Sequence, residues 1–237
     1  MATLVGTCGW QYKDWRGVLY PKGVPQRLWL ETYAGTFPTV EIDNAFYRLP
    51  TPQTFAHWRD ETPDGFVIAL KASRYLTHIK RLIDPEEPVE HLMNAASHLK
   101  GKLGPILLQL PPTLKADPGR LDRCLACFPK EVRVAVECRH GSWWSDEVRE
   151  LLQARGAALC WADRLGRPVA PLWRTASWGY LRLHEGRAEP YPSYGEAALK
   201  TWAGRVGDAG WQDAYVYFNN DTGGAAVRNA SSFARLV

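Results

Sequence analysis

Side chains able to do chemistry gather at the ends of apolar runs in this 237-residue sequence. "VRVAVECRH" ends in Glu137, Arg139 and His140, "TVEIDN" carries Glu41 and Asp43, and "GYLRLHE" carries Arg182 and His184. "FVIALKA" contributes Lys71, "ILLQLP" Gln109, "ALCWAD" Asp163, and "AYVYFNND" Asn219 and Asn220. Two carboxylates across a cleft, here Glu41 and Glu137, can serve as acid and base or as acid and nucleophile. His184 can move protons near neutral pH. Glu41, Glu137, Asp163 and His184 could instead hold Mg²⁺, Mn²⁺ or Zn²⁺ through oxygens and one imidazole. Only His140 and His184 lie near run ends, so a histidine-rich metal cluster is excluded. Lys71, Arg139, His140 and Arg182 suit an anionic ligand.

The elements that must position these groups follow from a repeated pattern. Eight short apolar, β-rich runs (4–10, 39–44, 66–72, 106–111, 132–139, 158–163, 179–185 and 214–221) each pass through a loop into the next stretch. Their continuous apolarity predicts strands covered on both faces. Amphipathic stretches lie between them. In 84–101, Val89, Leu92, Met93, Ala96 and Leu99 share a stripe, with Asp84 as cap, Pro85 in the first turn and Gly101 as the stop. In 145–157, Ser145 is the N-cap and acids fill the first turn. After the sixth run, "RLGRPVAPLWRT" holds two prolines, which predicts an irregular segment in place of a helix. Strand–helix alternation implies parallel strands with right-handed crossovers. The predicted fold class is α/β: a (β/α)8 TIM barrel of eight parallel strands occupying residues 1–237 as a single domain. The rival, an open doubly wound sheet, usually carries a Gly-rich dinucleotide turn after its first strand. "GTCGWQYKDW" lacks one, so no nucleotide cofactor motif is present.

Strand parity then tests whether the polar ends meet. If Val40, Ile42, Ile68, Leu70, Val134, Val136, Leu181, Leu183, Val216 and Phe218 face the helices, the opposite face carries Glu41, Asp43, Lys71, Gln109, Glu137, Arg139, Asp163, Arg182, His184, Tyr217 and Asn219. Barrel active sites form at the C-terminal strand ends. A ring of charge there points to a polar ligand, against the plainer reading of structural ion pairs. Gly223 and Gly224 open the stretch after the eighth run, where backbone amides could cradle a phosphate. Among 11 tryptophans, those following strand ends, including Trp10, Trp15 and Trp143, could wall a ligand cleft together with Tyr47.

The totals narrow the classes. A net charge of +4 is mildly basic and does not by itself indicate nucleic acid. No apolar run has membrane-helix length and the start lacks a signal-peptide pattern, which predicts a cytoplasmic protein with no membrane partner. Five cysteines are then expected as free thiols. The pair Cys124 and Cys127 reads as one face of a helix with Leu121, Leu125 and Phe128, because zinc needs four ligands. Arg16, Arg48, Arg74, Lys80 and Arg81, with Trp15, Tyr47 and Tyr75, could follow a nucleic-acid strand by charge and stacking.

"GTCGWQYKDWRGVLYP", "YAGTFPTVEIDNAFYRLP", "LGPILLQLPP", "VECRHGSW" and "VYFNNDTGGAAVRNA" together resemble the YecE-like family, a domain of unknown function. The resemblance spans the chain and implies a (β/α)8 barrel. It implies no substrate. Asp43-Asn44-Ala45 and the Glu185 between His184 and Gly186 depart from the family's pattern. A wider fold likeness to endonuclease IV and xylose isomerase does not decide function, and the shortage of histidines argues against a trinuclear zinc site. Three functions are therefore carried forward. The first is a hydrolase or lyase on a small phosphate-bearing substrate, with Glu137 and His184 moving protons. The second is a carbohydrate-active enzyme using Glu41 and Glu137. The third is a non-catalytic nucleic-acid binder. Any bound metal and the oligomeric state are left open.

Overall fold

A computed structural model describes residues 2–237. Its strands are β1 (Ala2–Cys8), β2 (Thr39–Ile42), β3 (Val67–Lys71), β4 (Leu103–Gln109), β5 (Val134–Glu137), β6 (Ala158–Leu159), β7 (Trp161–Arg164), β8 (Arg167–Pro168), β9 (Gly179–Leu183) and β10 (Asp213–Phe218). Neighbours pair in the order β6-β5-β4-β3-β2-β1-β10-β9-β7-β8. All ladders are parallel except β7 with β8, a small antiparallel hairpin. β6 and β7 are halves of one barrel strand broken at Cys160. The first half pairs with β5 and the second with β9, so the sheet curls around through this strand. With β10 on β1, eight strand positions follow one another in a TIM-barrel-like α/β fold.

Seven helices lie between them among the described residues: α1 (Trp29–Ala34), α2 (Pro52–Glu61), α3 (Glu86–Ala96), α4 (Pro118–Ala126), α5 (Asp146–Ala154), α6 (Glu196–Asp208) and α7 (Ala225–Ala234). Local chemistry starts several of them. Thr51, Asp117 and Ser145 accept from the amides of Thr54, Arg120 and Val148, and Pro52 and Pro118 fill the first helical turn. Asp84 is not the cap of α3: its φ of 42° turns it away, and its carboxylate pairs with Lys80 at 3.8 Å. No helix follows the sixth barrel strand. Residues 170–178 are stitched down instead, with Thr175 Oγ1 accepting from Leu159 N and donating to Ala157 O, and Trp161 Nε1 donating to Trp173 O. Cys124 lies on the buried face of α4 with Leu121 and Leu125. No helix among the described residues is long and apolar enough to cross a membrane.

Parity is visible as two separate cores. Val40, Ile42, Ile68, Leu70, Val134, Val136, Leu181 and Leu183 pack outward against the helices. Cys8, Ala69, Leu107, Ala135, Ala158, Cys160, Tyr180, Tyr215 and Tyr217 fill the interior. Small residues from β3, β5 and β6 face tyrosines from β9 and β10, so the interior is packed rather than open. Above that plug, at the C-terminal strand ends, the inward positions become Glu41, Lys71, Gln109, Glu137 and Arg182, all buried.

Candidate active site at the strand ends

Arg182, wholly buried, is the hub. Its Nη1 donates to Glu137 Oε2 at 2.8 Å and its Nη2 to Glu41 Oε1 at 2.7 Å, with Asp43 at 3.3 Å and Cys8 Sγ at 3.5 Å. Its Nε has no partner. Glu41 and Glu137 therefore sit on adjacent nitrogens of one guanidinium. Cys8, Glu41 and Asp43 approach each other closely enough to share a metal ion, but Arg182 Nη2 already reaches all three. The guanidinium supplies the cation there.

The two glutamates differ in environment. Glu137 collects five donors: Gln109 Nε2 at 3.1 Å, Arg182 Nη1, Arg139 Nε at 2.9 Å and Nη2 at 2.7 Å, and His184 Nε2 at 3.3 Å. Burial opposes its charge, yet Arg182, His184 and Arg139 together hold its carboxyl well below the usual range. Glu41 accepts from Tyr180 Oη and Arg182 only. Burial, reinforced by Asp43, lifts it to about 7 despite Arg182.

A cleft of about 700 Å³ opens beside this network, and Glu137, Arg139, His184, Asn219 and Arg164 are among its walls. His184 Nδ1 lies 3.0 Å from Asn219 Nδ2. With the amide donating to Nδ1, the ring carries its proton on Nε2 and donates it to Glu137. Burial lowers the His184 pKa, which Glu137 partly offsets, so the imidazole is neutral at pH 7. Arg139 spends Nε and Nη2 on Glu137 and leaves Nη1 without a protein partner. Lys71 stands on the β2–β3 side, 4.0 Å from Asp43 and 4.2 Å from the Phe46 ring. Tyr47, 81% exposed, packs edge-on to the same ring.

Several expected site residues lie elsewhere. Glu41 has no face on the cleft, being fully covered by Tyr180 and Arg182, so its pairing with Glu137 across a sugar lacks access. Asp163 points outward, because Ala158 and Cys160 face inward and the alternation carries position 163 to the helix side. It accepts from Tyr194 Oη at 2.6 Å and Trp202 Nε1 at 2.9 Å. Trp10 packs on Trp58, and Trp143, fully buried, donates to Leu114 O. Trp15 is also interior and donates to Asp221 O. These rings are too large to leave exposed when neighbouring helices can cover them. His140 Nδ1 accepts from Ser142 N and so caps a short turn. Asn220 borders the cleft, but its amide is committed to Pro192 O and Asn229. At the expected phosphate cradle, Gly223 N donates to the Asp14 carboxylate at 2.6 Å, and Gly224 N to Asp221 O. An acid fills that place, and Asp221, beside it, also borders the cleft.

Asp221 is one residue that sequence reasoning missed. Its Oδ1 is buried without a partner, and burial, with Asp43 and Asp14 nearby, lifts its carboxyl to about 7. A raised folded-state pKa favours folding below the unfolded value and loses that contribution as pH climbs to 7. Asp221→Asn should therefore stabilise the protein at pH 8 by roughly 1–3 kcal/mol and leave it little changed at pH 4. Urea unfolding at the two pH values reads this, and equal shifts at both would refute it.

The family model described as "Protein of unknown function DUF72" matches residues 4–237. The chain is 24% identical to the UPF0759 protein YunF of Bacillus subtilis, over 98% of this chain and 94% of that protein. It is 30% identical to the UPF0759 protein YecE of Escherichia coli K12 over 59% of this chain and 53% of that one. A DUF72 family protein from Thermotoga maritima superposes with a TM-score of 0.87 at 28% identity, covering 100% of this chain and 99% of the other.

Proposed function

The chain belongs to the DUF72 family, and from the geometry of its cleft we propose that it binds a small phosphate-bearing substrate beside Arg139 and transfers a proton through His184. One observation carries this reading: Glu137 Oε1 grips both the Arg139 guanidinium and the His184 imidazole on the cleft wall. A single fixed carboxylate thus orients an anion-binding fork and a neutral base side by side. Glu137 acts by position, since its depressed pKa keeps it ionised and its lone pairs are taken. The base is His184 Nδ1, reached when substrate displaces the Asn219 amide. Arg164, paired with Glu185 at 3.0 Å, lines the same cleft and adds a second guanidinium to it. The reaction class this serves is hydrolysis or elimination at a phosphoester, with the imidazole taking a proton from water or from carbon.

Calorimetric titration with inorganic phosphate tests the binding half. Arg139→Ala should weaken it at least about tenfold, as loss of a charge-assisted pair does. His184→Gln should hold phosphate within about threefold yet abolish turnover of a phosphoester panel. Phosphate affinity that ignores Arg139 would remove the reading.

A further inference from the structure

The cleft is not polar throughout. Its lining mixes Arg139, His184 and Asn219 with Val169, Tyr191 and Pro112. Val169 is 46% and Tyr191 58% exposed, among the most exposed large apolar side chains in the described protein. Single exposed apolar residues need no explanation; a pair sharing one concave site with charged groups does.

Neither residue is exposed because its segment is loose. Val169 N donates to Ala162 O at 3.0 Å, fixing it to β7 just beyond the β7–β8 hairpin. The Tyr191 loop is tied by Gly186 N to Pro192 O at 2.9 Å, Ser193 N to Pro190 O at 3.0 Å and Asn220 Nδ2 to Pro192 O at 3.1 Å. Gly186 permits this, since a Cβ there would lie 2.0 Å from Ser193 O. The fold builds a rigid loop and displays a tyrosine ring on it at the lip of the cleft. A ring held in place offers flat contact area at low entropic cost.

Resting on the anion-binding reading above, we infer that the ligand is an aromatic anion: a planar ring lying against Tyr191 and Val169, joined to a phosphate or carboxylate held by Arg139. Plain sugar phosphates and inorganic anions would engage only the polar groups.

Calorimetry with the full chain and four probes separates the claims: inorganic phosphate, ethyl phosphate, phenyl phosphate and benzoate. Phenyl phosphate should bind about tenfold more tightly than ethyl phosphate, the scale of one buried aromatic contact. Tyr191→Ala and, independently, Val169→Ser should each shrink that ratio while leaving inorganic phosphate affinity unchanged. Because Val169 sits on a different segment, a conformational effect of the Tyr191 change on its own loop cannot mimic both results. Benzoate binding as tightly as phenyl phosphate would assign the carboxylate form, and weaker binding the phosphate form. Equal affinity for ethyl and phenyl phosphate, both dependent on Arg139, would overturn the aromatic inference and leave the anion site standing. Loss of Arg139 dependence for every probe would overturn both.

Discussion

Arg182→Met should cost about 3–5 kcal/mol of folding stability at pH 8, the range for removing one partner of a buried ion pair. The guanidinium is wholly buried and touches Glu41, Glu137 and Asp43. Methionine fills a similar volume, so the loss would be electrostatic rather than a cavity effect. Burial already holds Glu41 near 7 with Arg182 present. Without the cation, Glu41 moves further up and Glu137 loses its principal support. Glu41 then has a folded-state pKa still further above its unfolded one, so its contribution favours folding at low pH and is lost as pH rises. The deficit of the variant should therefore narrow between pH 8 and pH 5. Urea midpoints across that interval read it. A deficit under about 1 kcal/mol, or one that does not change with pH, would show that Arg182 is not the charge on which the network depends.

The features legible in sequence are those fixed by strand period and by burial on both faces. Val134, Val136, Leu181 and Leu183 could only face the helices, which sent Glu137 and Arg182 inward to the same rim. The gap after the sixth strand was equally legible, because "RLGRPVAPLWRT" cannot sustain a helix. Asp163 shows the limit of the same rule. Its strand reads Ala158, Cys160, Ala162 on one side and Leu159, Trp161, Asp163 on the other, so the small residues face the interior. Following the charge rather than the bulk puts Asp163 on the wrong side.

What composition suggested but tertiary contact decided was less accessible. The Gly223–Gly224 pair has the local character of a phosphate cradle, yet Asp14, more than two hundred residues earlier, supplies the acceptor. No local pattern announces such a partner. Tryptophans near strand ends likewise suggested a ligand wall, but Trp10, Trp15 and Trp143 satisfy their bulk in the core. The apolar lip arises instead from Val169 and Tyr191, in two segments with no periodicity to read. Asp221 and Tyr194 belong to the same class of residue, visible only once loops from β1, β9 and β10 converge.

Glu137→Gln should be the second large loss, again about 3 kcal/mol or more near neutral pH. The carboxylate takes N–H groups from Gln109, Arg139, Arg182 and His184. An amide offers one oxygen to these donors and turns an NH₂ group toward the rest, so whichever way it is placed one guanidinium, that of Arg182 or that of Arg139, faces a donor. The deficit shrinks on acidification, as for Arg182→Met, but for the converse reason and in a lower pH range. Glu137 has a depressed pKa, so it contributes stability above the unfolded carboxylate value and loses it as pH falls through its folded value. The variant's deficit should then be greatest near neutrality and should close only in acid. His184 provides a readout that mere destabilisation would not move. Glu137 is the group that raises its pKa against burial, so in Glu137→Gln the imidazole should titrate at lower pH than in the parent protein. NMR of the ring carbons measures this in the folded variant. An unchanged or higher His184 pKa would mean that Glu137 does not hold the ring, and the proposed proton-transfer pair would lose its basis.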